Sequence, residues 1–389
     1  MHVFLHDVRT SIALQKPTLL PFTELCFSLP AARDLWRAPT AEAWRDVCLS
    51  KPHQPLDTDG VVIPKVAELL HCLSTVDTLG SLVDLDLCYS TLLHAFWNMV
   101  TAYRESVKFY HQMGAETAIR GQNATRRLWI ESQQQDVYRD ICSITNHMPA
   151  SPNAELHLLA ELLKMTLHIS LEELQIFAGK HGEAEAQHMS SRLENTWMHS
   201  SDARYAVWHA GQVLRCARLM PPASIRGFNA MAVYFASLAL WVYGTLSDSQ
   251  ADHGVDGTGL GEIYDNIDLT GRHQHPLRPQ LAPPVAVAVI SVDGEETRET
   301  TAFLQLNRGL PGLRCPEDDP ANAMGLGGIV PLSNSGMVLD IAKKVLRDNF
   351  PVLSEPLPPL VVSLDNLLRD LGSGSARPPS VAESDPEEY

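Results

Sequence analysis

The 389-residue chain is short of positive charge: 30 Lys and Arg stand against 46 Asp and Glu, a formal balance of −16. Affinity for nucleic acid rests on cationic contacts to phosphates, so a chain this acidic is a poor DNA binder by itself. Its longest basic runs are the pairs Arg126-Arg127 and Lys343-Lys344, and no nuclear-import cluster is visible. The seven cysteines, at 26, 48, 72, 88, 142, 216 and 315, never form C-x-x-C, and none of their spacings would wrap one zinc ion. They are expected to be reduced, buried, small apolar side chains of an intracellular protein. There is no H-E-x-x-H, no G-x-S-x-G elbow and no phosphate loop. Glu185-x-x-His188 lacks the second such pair of a diiron bundle and is expected at the surface. The aspartates Asp84 and Asp86 of LVDLDL are expected to decorate a helix start rather than bind metal. The opening MHVFLHDVRTS has no basic lead and meets His6 and Asp7 before an apolar stretch develops, unlike a signal peptide.

What the sequence does hold is centred on residues 204–246, RYAVWHAGQVLRCARLMPPASIRGFNAMAVYFASLALWVYGT, two helical stretches broken by Pro221-Pro222. The first reads as amphipathic, with His209, Gln212, Arg215 and Arg218 on one half and Ala206, Ala210, Val213, Leu214 and Ala217 on the other. It should end near Met220, with Ser224 capping the next helix. From Gly227 to Ser247 no residue is charged, so that helix belongs to the centre of a large core or to a membrane. The polar interruptions Asn229, Tyr234, Ser237 and Tyr243, and the absence of a second candidate span, favour the core. Trp208, four residues after Arg204, is read as a cation–π partner, an interhelical anchor or a partly exposed ring.

Elsewhere the patterning predicts an all-α fold: an irregular multi-helix bundle around a central buried helical hairpin. Helices are expected over 2–15, 62–74, 84–112, 124–146, 153–178 and 182–198, with Leu93, Phe96, Trp97, Val100 and Tyr103 as one core stripe. Two short helices in AARDLWRAPTAEAWRDVCL should begin at Pro30 and be capped at Thr40, burying Trp36 and Trp44. The segment 285–294 is expected to be the one strand, followed over 296–307 by its hairpin partner or, preferred, by a helix stopped by Gly309, and then by helices over 334–349 and 358–371. The organisation is then a helical regulatory domain over 1–247, an acidic Gly-rich linker over 248–283, a mostly helical segment over 284–371 packed on the core, and a disordered acidic tail over 372–389.

The stretch Thr23 to Val47 resembles part of the fungal-specific transcription factor domain, the middle homology region of fungal zinc-finger regulators, through Glu24, Pro30, Arg33, Leu35, Trp36 and Trp44. The resemblance continues in DARYAVWHAGQVLRCARLMPPASIRGFNAMAVYFASLALWVYG, where Trp208, Gly211, Arg215, Pro221, Gly227 and Trp241 stand, in VDGEETRETTAFLQLNRGLPGL and in PLSNSGMVLDIAKKVLRDNF. The combination is most similar to the subgroup whose DNA-binding part is a pair of two-Cys, two-His fingers. It implies a regulatory domain of a nuclear transcription factor acting on RNA polymerase II transcription, with co-regulators or the transcription machinery as partners and a small-molecule effector as a further one. It implies no enzyme activity, no membrane, no direct DNA binding by this chain, and zinc only in fingers that this sequence does not contain. The chain is therefore expected to be the C-terminal part of a longer regulator, or to descend from one, with the apolar face of its first helix, Val3, Phe4, Val8 and Ile12, left partly unpaired. The alternative is an all-α small-molecule-binding protein or enzyme whose site carries no recognised motif.

Overall fold

A computed structural model describes residues 1–50, 65–71, 73, 79–80, 82–114, 120–148, 153–253, 288–315, 328–350 and 356–374. Helix α1 (His2–Leu14) is followed by α2 (Arg33–Arg37), α3 (Ala41–Ser50), the long α4 (Leu85–Gly114) and α5 (Arg120–His147). Then come α6 (Ala154–His168), α7 (Leu171–Phe177), α8 (Glu183–Thr196), α9 (Ser201–Arg218) and α10 (Phe228–His253). After these lie β1 (Val289–Ser291), α11 (Arg298–Leu306), β2 (Leu310–Arg314), β3 (Ile329–Pro331), α12 (Ser335–Asp348) and α13 (Pro359–Gly374). The protein is thus mostly helical with a small three-stranded sheet, in which β1 runs parallel to β2 and β2 antiparallel to β3.

The uncharged helix α10 is a core helix. It is long and apolar enough to cross a membrane, yet 83% of its apolar window is buried within the chain, among α1, α6, α7, α9, α12 and α13. A helix apolar on every side needs a neighbour on every side, and six supply it. The expected central hairpin of α9 and α10 is present, but the most extensive pairing is α9 with α6, so three helices share the centre. Leu93, Phe96, Trp97, Val100 and Tyr103 form the buried stripe of α4.

Several expectations need correction. Helix α9 is not half-buried: His209 and Gln212, placed by periodicity on a polar face, are buried because protein groups satisfy them. Gln212 Nε2 donates to the carbonyls of Val292 and Gly294, both at 2.9 Å. The cap of α10 is not Ser224, whose carbonyl instead accepts from Asn229 Nδ2 at 3.1 Å; Gly227, at φ 51°, accepts from Met231 N there. The expected helix over 153–178 breaks at Ile169, which is extended at φ −148°. Helix α2 begins at Arg33 rather than Pro30, whose carbonyl accepts from Asp84 N at 3.0 Å, while Thr40 does cap α3, accepting from Ala43 N at 3.1 Å.

The tryptophans of these two helices do not fill a core, since Trp36 is 75% and Trp44 51% exposed. The apolar face of α1 is covered: Phe4, Val8 and Ile12 are buried against α4 and α10, and only Val3 is exposed. Among the described cysteines only Cys88 and Cys315 are buried, and Cys26 is exposed. Residues 248–253 of the expected linker are the last turn and a half of α10, and 372–374 of the expected tail end α13; the remainder of both lies outside the described residues.

Two further strands, β2 and β3, accompany the one expected. The run LPGLR hides as a strand because Pro311 lacks an N–H and Gly312 carries no side chain, yet each has a use. The Pro311 carbonyl accepts from Leu332 N at 2.9 Å, and a Cβ on Gly312 would collide with the Val330 carbonyl.

Glycine settles how residues 288–315 and 328–350 sit on the helices. A Cβ at Gly211 would overlap the Val292 carbonyl, and one at Gly244 the Leu332 carbonyl, so backbone rests on α9 and α10 where only a hydrogen fits. Gly211→Ala should destabilise the protein by about 2 kcal/mol or more through overpacking, whereas Gly336→Ala, where nothing lies within 4 Å, should be neutral or stabilising. Urea unfolding of the two variants checks the contrast; equal midpoints would contradict the close contact. Ala236→Arg, at a position 0% exposed in α10, should give insoluble or unfolded protein, because an unpaired buried charge costs several kcal/mol of a stability of about 5–15 kcal/mol. Soluble expression with native circular dichroism would refute the core placement.

Candidate functional site

The chemistry-bearing side chains of the interior converge where α5, α6 and α9 meet. Helix α6 reads AELHLLAELLKMTLH, and its Glu161, Lys164 and His168 stand three and four residues apart, so one face of an otherwise leucine-rich helix carries them. Glu161 Oε1 accepts from Lys164 Nζ at 2.8 Å, and Glu161 Oε2 faces His209 Nδ1 at 2.6 Å. One turn on, His168 Nδ1 faces Asp202 Oδ1 at 2.7 Å, and Gln134 Nε2 donates to the same oxygen at 3.0 Å and to the Leu167 carbonyl at 3.0 Å. Trp197 Nε1 donates to the His168 carbonyl at 3.1 Å, which turns the chain where α6 breaks.

The two imidazoles lie nearly parallel, 6.0 Å apart at 10°, with Tyr205 stacked on His168 at 5.2 Å and Tyr138 edge-on to it at 6.0 Å. Each Nδ1 meets a carboxylate and so carries the proton, which leaves each Nε2 a lone-pair acceptor. Both Nε2 atoms are buried without a hydrogen-bond partner. Burial outweighs Glu161 and holds His209 well below its usual range, at about 4, and lowers His168 in spite of the bond to Asp202. Burial alone would raise the Glu161 carboxyl, but Lys164 and His209 hold it down, at about 2; the Lys164 ammonium is in turn raised because Glu161 outweighs its burial. The arrangement is two neutral imidazoles, the Glu161–Lys164 ion pair and the carboxylate of Asp202. It can accept a proton or a hydrogen bond, but no group of three or more His, Cys, Asp or Glu among the described residues is placed to hold a metal ion.

None of this cluster was singled out from the sequence except His209, as part of a polar face. The available signal was charge at helical spacing inside the leucine run of α6, which exposed helices show as well.

The residues that carry the family resemblance lie elsewhere, in three groups. Arg33 pairs with Asp84 Oδ2 at 3.2 Å and Asp86 Oδ2 at 3.5 Å, which joins that stretch to the start of α4, where Asp84 Oδ1 also accepts from Leu87 N at 3.1 Å. Pro30, Arg33 and Trp36 line a cavity of about 800 Å³ together with Arg9 and Glu155, while Glu24 is exposed and Leu35 half-buried. Arg33 and Pro221 share a neighbouring cavity of about 610 Å³. On α9 and α10, Trp208 is buried and makes no cation–π contact, because Arg204 donates instead to the carbonyls of Leu304 at 2.9 Å and Ser200 at 3.1 Å. Arg215 Nη2 reaches Glu295 Oε1 at 3.1 Å, Gly211 meets Val292, Gly227 opens α10, and Trp241 packs edge-on against Phe177 at 5.4 Å. Glu185 and His188 are both exposed on α8.

Comparison with protein-family models, with curated proteins and with solved structures finds no match for this chain.

Replacing Glu161 by Gln should cost about 3–5 kcal/mol, since it leaves the Lys164 ammonium, 9% exposed, without its counter-charge. For pH, the histidines titrate lower folded than unfolded, so between pH 6.5 and about 4 the unfolded chain holds more protons and stability falls with pH. Each extra proton held by the unfolded chain costs about 1.4 kcal/mol per pH unit. The urea midpoint should therefore drop from pH 7.5 to pH 5, and drop less in His209→Gln. An equal drop in both proteins would remove His209 from the account.

Proposed function

We propose that the chain is the regulatory and interaction domain of a fungal transcription factor acting on RNA polymerase II transcription in the nucleus, with DNA binding carried by zinc fingers outside this sequence. The observation that carries the interaction role is the exposure of Trp36 and Trp44, at 75% and 51%, on two helices that bury none of their own residues. Both rings lie inside the stretch Thr23 to Val47 that resembles the family. Large apolar side chains left in water on adjacent elements mark surfaces that meet other proteins. A net charge of −16 supports a protein partner over direct contact with DNA. The remaining segments of the resemblance support the reading by packing as one body. Residues 202–244 meet 292–313 at Gly211 and 331–350 at Gly244.

The test fuses the full chain to an unrelated DNA-binding domain in a fungal reporter strain. Reporter output should change at least severalfold, in either direction, and the double variant Trp36→Ala/Trp44→Ala should lose the effect while keeping wild-type thermal stability. The purified chain alone should show no sequence-specific binding to random duplexes at physiological salt. Unchanged reporter output, or nanomolar binding of a selected duplex by the chain itself, would overturn the proposal.

A further inference from the structure

A third cavity, of about 610 Å³, lies at the seam between the end of α9, the sheet and α12. Four cations face it, Arg215, Arg218, Arg314 and Lys344, against two carboxylates, Asp293 and Asp348. On a chain whose overall balance is −16, this is a reversal of sign in a concave place.

The charges are unequally engaged. Asp293, 2% exposed, is saturated within the protein: it pairs with Arg218 and accepts from Arg314 N at 3.0 Å and Ser291 Oγ at 2.8 Å. Arg215 pairs with Glu295, whose side chain is 81% exposed, a pairing that water makes nearly worthless, and otherwise makes only a long hydrogen bond to Gln212 Oε1 at 3.4 Å. Lys344 has no ion pair among the described residues, and the Arg314 guanidinium holds the Ser291 hydroxyl at 3.2 Å. Three cationic heads therefore retain donors toward the cavity. Apart from Asn349 the rest of its lining is apolar and includes the buried side chains of Met220, Ile341 and Val345.

We infer that this cavity binds a small organic anion, a carboxylate with an aliphatic body. The head would lie on the side of Arg215, Arg314 and Lys344, and the body over Met220, Ile341 and Val345. A bare inorganic anion would leave the apolar wall wet, and a neutral lipid would leave the cations without a partner. The volume is in the range of organic ligand sites. Because the wall is shared by α9, β2 and α12, an occupant touches both the helical core and the C-terminal segments and stabilises their contact by mass action. The inference stands apart from the transcriptional reading, since binding is measured on the purified chain.

Octanoate, octanol and inorganic phosphate are the probes, each titrated calorimetrically into the full chain and tested for its effect on Tm. Octanoate should bind saturably, well below its micellar concentration, and raise Tm; octanol and phosphate at equal concentration should do neither. Arg215→Gln/Lys344→Gln, with unchanged circular dichroism, should weaken octanoate binding at least tenfold. Lys344→Gln alone, which breaks no ion pair among the described residues, should weaken it severalfold and serves as the reading if the double variant folds poorly. Absence of octanoate binding, equal binding of octanol or phosphate, or undiminished binding in the variants would overturn the inference.

Discussion

A helix of 26 residues that carries no charge along its first five turns has to be covered on all sides, and the architecture follows from that requirement. Helices α6 and α9 cover one side of α10, α12 and α13 another, and α1 and α7 close what remains. Covering a cylinder completely takes more partners than one hairpin provides. The chain therefore returns to α10 from the N-terminus, from the middle and from the end, and these distant visits make the core continuous from Phe4 to Leu368. Burial on this scale leaves little water for polar groups at the centre, and those of the cluster find protein partners, Glu161 with Lys164 and His209, His168 with Asp202, and Gln212 with two carbonyls, although the Nε2 atoms of both histidines stay unpaired.

The existence of α10, its burial, the stripe on α4 and the helix after β1 were legible because each has a period or a composition that one segment displays alone. What was not legible depends on partners distant in the sequence. His209 and Gln212 are polar and fall on the side of α9 with Arg215 and Arg218, so periodicity assigns them to water; their burial follows only once Glu161 and the Val292 carbonyl are known to lie opposite. The strands β2 and β3 are short, and Pro311 and Gly312 lack the side chains that announce a strand. Trp36 and Trp44 illustrate the converse error, since an aromatic ring at helical spacing looks the same whether it is buried or left in water.

The polar cluster between α5, α6 and α9 and the seam cavity differ in kind. The first is largely buried, with Asp202 alone reaching well into solvent, and its bonds fix how three helices register. The second is open, with cations in excess of carboxylates and apolar side chains in its lining. A buried ion pair is a poor place for chemistry because little can arrive, whereas an open, unbalanced one has free energy left to give to a ligand.

The Gln212 contact also bears on the order in which the molecule is made. Its amide waits for the carbonyls of Val292 and Gly294, which leave the ribosome 80 and 82 residues later. At roughly 5–20 residues per second, that is several seconds during which α9 and the apolar α10 exist without the backbone that closes over Gly211. The nascent chain spends this interval with its most hydrophobic helix incompletely covered, so the late-made backbone over Gly211 closes a surface that stands open while synthesis continues.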